Sequence, residues 1–343
     1  MIKKAALILI PLLLLASVVL TLRKEKPSSL PQAERSFLLG LVPNPANSPN
    51  STFEDLVEAY EETGKIAEVG MVWVENQGIG EFELLKRNGV VTALRVYGLK
   101  PFLTLSFAKV RVGPSGLEYR VEAPPGITPS LSDSGFREAW VEEARRIAEE
   151  FKPEYFSLGN EVNDYFYLHP EDLDPYLSLL EEAYAAVKQV SSGTKVLVVL
   201  SYDHLLQNQQ WGLLRELSSR VDVIGLTTYP YKTFTSPDAL PQDYYSRAEQ
   251  YTSKPIAFTE IGWSSSENSE NLQANFLVRF LELTKDMNLE MVNWLFLHET
   301  TVGGLLGHLS DPEIGTVALK RTDGSEKEVY RVWVELKKLK FRR

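Results

Sequence analysis

Two glutamates stand at the ends of apolar runs. Glu161 follows Tyr155-Phe-Ser-Leu-Gly with Asn160 beside it, and Glu260 follows Pro255-Ile-Ala-Phe-Thr. Each run has the length and composition of a buried β-strand that stops as the acid arrives. If both strands are parallel members of one closed sheet, both carboxyls leave the same rim and can face each other across it. Facing carboxyls are what cleavage of a glycosidic bond requires. One, protonated, gives its proton to the leaving oxygen; the other, ionised, attacks the anomeric carbon. Mutual repulsion and unequal surroundings push their pKa values apart and so assign the roles. A separation of about 5–5.5 Å corresponds to a retaining mechanism, whereas a wider gap leaves room for an inverting water.

The elements that must position these acids alternate along the chain. Strand-type runs are expected at 37–42, 66–74, 101–107, 155–159, 195–201, 221–228, 255–259 and 290–297. Helical patterns lie between them at 52–64, 80–98, 134–150, 172–190, 208–218, 239–251 and 268–287, with a last helix at 326–339. Eight βα units predict an α/β protein, a (β/α)8 barrel forming a single domain over 36–343. The first turn, Val42-Pro-Asn-Pro-Ala-Asn, lacks the glycines of a phosphate-binding doubly wound sheet. The fourth and seventh strands then lie almost opposite each other. Two long loops, 108–133 and 299–325, follow strands and belong on the active face, as substrate walls, lids or surface insertions.

Aromatic residues gather where strands end: Trp73, Tyr202, Tyr229, Trp263 and Trp294, with Tyr165, Phe166, Tyr167 and Tyr231. Sugar rings pack their C–H faces on aromatic planes, so the grouping favours a carbohydrate cleft, although any single ring could be core. Trp73, Tyr202 and Trp263 are candidate binding residues on this ground, and His298 is a candidate hydrogen-bonding group. A rival constellation, Asp203 and His204 after the fifth strand with His298 and Glu299 after the eighth, could hold a metal that activates water. No cofactor and no metal are expected for the leading reading.

The chain has 343 residues, a net charge of −10 and no cysteine. Disulfides, thiolate metal sites and a cysteine nucleophile are excluded. The acidic balance disfavours nucleic acid as a partner. Lys3 and Lys4 precede an apolar run over 5–22, followed by Arg23, Lys24 and Lys26 and a polar, proline-containing linker. Residues 1–35 are therefore expected to be a signal anchor or signal peptide plus linker. They would contact the membrane and place the barrel outside the cytoplasm, anchored or secreted.

Leu158-Gly-Asn-Glu-Val-Asn and Phe258-Thr-Glu-Ile-Gly-Trp together resemble the clan A glycoside hydrolases, whose catalytic glutamates sit on barrel strands four and seven. Lys320-Arg-Thr-Asp-Gly-Ser-Glu-Lys resembles the Asp-Gly-x-x-Lys segment that precedes the last helix in such enzymes, with Glu328 in place of the usual proline. The Gly-Asn-Glu-Val-Asn form is most similar to the endo-β-1,4-galactanase family. The resemblance implies retaining cleavage of β-linked glycans, with Glu161 as acid/base and Glu260 as nucleophile. It implies that Asn160 bonds the sugar 2-hydroxyl, that Tyr229 orients the nucleophile and that Trp294 forms the floor of the subsite. The arginine that many members carry near the end of strand two has no counterpart in Trp73-Val-Glu-Asn-Gln. A carbohydrate-binding barrel without turnover at the cell surface is the alternative from another class.

Overall fold

The computed structural model describes residues 30–72, 78–113, 116–266, 269–300 and 313–342. The N-terminal apolar run and Trp73 lie outside the described residues. Eight strands form the centre: β1 (Leu38–Val42), β2 (Val69–Met71), β3 (Lys100–Thr104), β4 (Tyr155–Ser157), β5 (Lys195–Ser201), β6 (Val223–Thr228), β7 (Ile256–Ile261) and β8 (Leu289–His298). Each pairs in parallel with its sequence neighbours, and β8 pairs with both β7 and β1, so the sheet closes into the expected (β/α)8 barrel. Closure removes the sheet edges and sends every strand C-terminus to one rim.

Alternation divides the strand residues between two cores. Leu38, Val69, Phe102, Leu197, Val223 and Met291 fill the barrel interior. Leu39, Leu103, Phe156, Val198, Ile224 and Phe258 turn outward onto the helices. The helix Phe53–Ile66 begins with a capping box between Thr52 and Asp55, and Ser134–Phe151 begins with Asp133 accepting from the Phe136 N–H. These caps satisfy N–H groups that a helix start leaves open.

Three expected helices are corrected. The segment 80–98 forms two helices, Glu81–Asn88 and Val90–Val96, because Gly89 adopts φ 63° and ends one as the other begins. The segment 208–218 is preceded by its own short helix, Tyr202–Gln207, and starts only at Trp211. The segment 239–251 forms 3-10 turns, Pro237–Ala239 and Ser246–Gln250, instead of an α-helix. Pro241 has no N–H to give, and Tyr244 and Tyr245 are buried against Tyr202, an arrangement that overrides helical propensity.

The long loop after β3 is a β-hairpin, Ala108–Gly113 paired antiparallel with Gly116–Val121. Of the loop after β8, residues 301–312 lie outside the described residues. It returns as the strand Ala318–Lys320, paired in parallel with β8. Next comes a turn in which Gly324 takes φ 80° and Asp323 accepts from the Ser325 N–H. Lys327, 1% exposed, ends it. Its ammonium donates to the Ser265 hydroxyl and the Thr316 carbonyl, both at 2.8 Å, and pairs with Glu299 at 2.6 Å. The Asp-Gly-x-x-Lys segment thus ties the ends of β7 and β8 to the last helix, Glu328–Lys338.

Candidate active site

β4 stops at Ser157, and the chain turns sharply before a helix absent from the sequence expectation, Val162–Leu168. Gly159 has φ 150°, and a Cβ there would sit 2.5 Å from Val162 and 2.8 Å from the Tyr176 hydroxyl. Glu161 is the cap of the new helix and lies in the left-handed region, φ 48° and ψ 40°. A glutamate held there marks a position where placement of the side chain outweighs backbone preference. Its carboxyl, half-buried, accepts from the Thr227 hydroxyl at 2.6 Å.

Glu260 arrives by a different device. Phe258 faces the helices and packs against Tyr245 and Phe280. Strict alternation would send Glu260 the same way. The register with β6 slips, however: Phe258 lies opposite Leu226, while Glu260 lies opposite Thr227. The extra residue re-aims Glu260 onto the face of Thr227, toward the barrel mouth. Glu260 is 7% exposed and accepts from the Tyr229 hydroxyl at 2.6 Å.

One strand end therefore holds both acids, Thr227 on Glu161 and Tyr229 on Glu260. Asp203 fixes that strand end in turn, accepting from the Thr228 hydroxyl at 2.9 Å, the Tyr229 N–H at 2.6 Å and the Tyr244 hydroxyl at 2.7 Å. Burial pushes the Glu260 carboxyl up to about 8, and the Glu161 charge pushes it the same way. The Tyr229 hydroxyl and the Lys232 ammonium oppose the rise. Burial and then the Asp164 carboxylate raise Glu161, against the Thr227 hydroxyl, Lys232 and His204. The charge on Glu161 thus raises the affinity of Glu260 for a proton, so the two titrations are linked. Such a pair can donate from one member while the other carries charge.

The remaining expected residues separate into three groups. Asn160, half-buried beside Glu161, makes no side-chain hydrogen bond among the described residues. Trp263 and Tyr231 form an edge-to-face pair, ring centroids 6.3 Å apart, next to Tyr229. Trp263 is 3% exposed and also packs on Phe276, so most of its surface is core. His298, 4% exposed, is locked to the loop after β1: its Nδ1 lies 2.9 Å from the Asn44 carbonyl, which fixes the ring proton on that nitrogen.

Two expectations are corrected. Trp294 points away from the barrel interior, fully buried against Phe276 and Trp333. The outward alternation of β8 puts it in the helix-facing core instead of under a sugar. Tyr202 is equally buried, and its hydroxyl donates to the Tyr244 carbonyl. The rival metal constellation is not assembled either. Asp203 serves β6, His204 pairs with Asp164, His298 serves Asn44 and Glu299 pairs with Lys327. Among the described residues no three metal-capable side chains converge.

Sequence reasoning missed Thr227, Lys232 and Tyr119. Thr227 was within reach, since alternation puts it on the face of Tyr229. Tyr119 depended on a hairpin that no periodicity announced.

The barrel with its two rim glutamates resembles those of the clan A glycoside hydrolases, and the comparisons with known proteins point the same way. Residues 145–294 match the family model "Glycosyl hydrolase family 53", so within that class the chain is similar to the galactanase family. The matched span contains both glutamates. The exo-beta-1,4-mannosidase Op5Man5 from Opitutaceae bacterium strain TAV5 superposes with a TM-score of 0.67 at 15% identity, over 91% of this chain and 61% of that one. A family 39 glycoside hydrolase from the gut symbiont Bacteroides cellulosilyticus WH2 gives 0.61 at 17% identity, over 91% and 65%. GH5_18 from Streptomyces cattleya, solved with GlcNAc, gives 0.65 at 14%, over 89% and 80%. The chain thus spans less than two thirds of the length of the first two. None of the curated proteins matches the sequence significantly.

Proposed function

We propose that this protein is a retaining glycoside hydrolase that cleaves β-linked polysaccharide or oligosaccharide by double displacement. Glu161 acts as acid/base and Glu260 as nucleophile. The observation that carries the reading is the bridging of both acids by one strand end, Thr227 to Glu161 and Tyr229 to Glu260, each at 2.6 Å. The two carboxyls lie near enough for the Glu161 charge to act on Glu260.

In the first step Glu161 gives its proton to the glycosidic oxygen as that bond breaks. Glu260 forms an ester with the anomeric carbon from the opposite face. In the second step Glu161, now ionised, takes a proton from water, which attacks the same carbon and releases Glu260. The Tyr229 hydroxyl aims the nucleophile and supports its charge. Asn160, with donor and acceptor both free of protein partners among the described residues, is placed to bond a sugar hydroxyl beside the reacting carbon. Residues 1–35 are proposed to export the barrel and hold it at the membrane, or to be removed on secretion. This part of the reading is supported by the apolar run over 5–22 between basic flanks.

The test is a screen of residues 36–343 on β-linked galactan, mannan and glucan, with Glu161→Ala and Glu260→Ala alongside. Release of reducing sugar from at least one glycan, lost in both variants, is expected. Undiminished release in either variant would refute the role given to that residue, and release from no glycan would favour a binding barrel.

A further inference from the structure

Beside the two glutamates lies an ion pair that the displacement steps do not use. Asp164 sits one turn beyond Glu161, its N–H donating to the Glu161 carbonyl at 3.1 Å, and is 8% exposed. The His204 Nδ1 lies 2.9 Å from each Asp164 carboxylate oxygen, and the Tyr119 hydroxyl donates to Asp164 at 3.2 Å. Three separate elements thus converge on one carboxylate: the helix that starts at Glu161, the helix Tyr202–Gln207 after β5, and the hairpin after β3.

We propose that Asp164 and His204 are a positioning pair that governs how tightly Glu161 holds the proton it gives to the leaving group. The proposal rests on the acid/base role given to Glu161 above. The groups that face Glu161 are Asp164 from its own helix, His204 from the helix after β5, Tyr119 from the hairpin, Thr227, Tyr229 and Lys232 from β6 and the following turn, and Glu260 from β7. His204 is faced by Asp164, Glu161 and Asp203.

While His204 is protonated, its charge cancels that of Asp164, and Glu161 sees a nearly neutral neighbour. When His204 loses its proton, Asp164 faces Glu161 uncompensated, and the Glu161 proton is held more firmly. The acid form of Glu161 therefore persists to higher pH than it would beside a neutral side chain. The two partners act on Glu161 in opposite senses, which a pair serving only to hold the fold would not do.

The deciding experiment measures kcat/KM against pH for the wild type, Asp164→Asn and His204→Gln on a β-glycan that the wild type cleaves. A carbon-13 titration of the Glu161 carboxyl, assigned by its loss in Glu161→Gln, follows the same three proteins without substrate. Asp164→Asn is expected to move the alkaline limb and the Glu161 titration down by about one pH unit, and His204→Gln to move both up. Shifts in the same direction, or none, would overturn the proposal. If Asp164→Asn does not fold, His204→Gln decides alone, and only an upward shift agrees. A fully active Glu161→Gln would instead remove the reading on which the proposal rests while leaving the carboxyl shifts as they are, so the two failures are distinguishable.

Discussion

A glutamate in the left-handed region costs about 1–3 kcal/mol, and Glu161 bears that cost to place its carboxyl against Thr227. At this scale the chemistry is a matter of one proton on two acids. The proposed double displacement requires the singly protonated pair, so kcat/KM is expected to be bell-shaped, falling where the pair gains a second proton and where it loses its last. Replacing Glu161 by Gln removes the charge that helps push Glu260 up to about 8, so the Glu260 carboxyl should titrate lower; a carbon-13 titration of that variant checks it. Glu161→Gln should also slow turnover on the order of 10²–10⁴-fold. Tyr229→Phe takes away a donor that stabilises the Glu260 carboxylate. The acid limb should then move to higher pH and kcat fall on the order of 10²-fold, as measured by steady-state kinetics.

At the scale of elements, two irregularities do the placing. The turn through Gly159 lets the chain leave β4 and begin a helix at once, and the register slip in β7 brings Glu260 onto the interior face. Gly159→Ala meets Val162 and the Tyr176 hydroxyl and strains the backbone as well. A loss of about 2–4 kcal/mol is expected in chemical denaturation. Both glutamates were legible in the sequence because each ends an apolar run on a strand that the eightfold alternation places. Trp294 was misread for the same kind of reason: it is an aromatic residue in a barrel strand, but its face depends on register, and register is invisible to composition. Tyr202 was misread because it opens a short helix whose apolar side turns inward. Thr227 went unnoticed because a small hydroxyl carries no pattern of its own.

At the scale of the whole molecule, the barrel closes where β8 pairs with β7 and β1, and the last helix is clasped to that seam by Lys327. Lys327→Met would leave Glu299 without its buried cation and should destabilise the fold by about 3–5 kcal/mol, read from the unfolding midpoint. The overall alternation of strands and helices was readable because buried parallel strands are nearly continuous apolar runs. The 3-10 turns before β7 were not, because tertiary packing of Tyr244 and Tyr245 decides them.

Whether Glu260 attacks the anomeric carbon while Glu161 handles the proton is decided by the azide product of Glu260→Ala on a β-linked substrate with a good leaving group. With the nucleophile gone, azide can attack from the vacated face. Restored turnover and an α-configured glycosyl azide, identified by proton NMR of the anomeric centre, are expected. A β-configured azide would mean that azide had displaced a glycosyl–enzyme bond made by another residue, and it would rule out Glu260 as the nucleophile, as would full activity of the variant without azide.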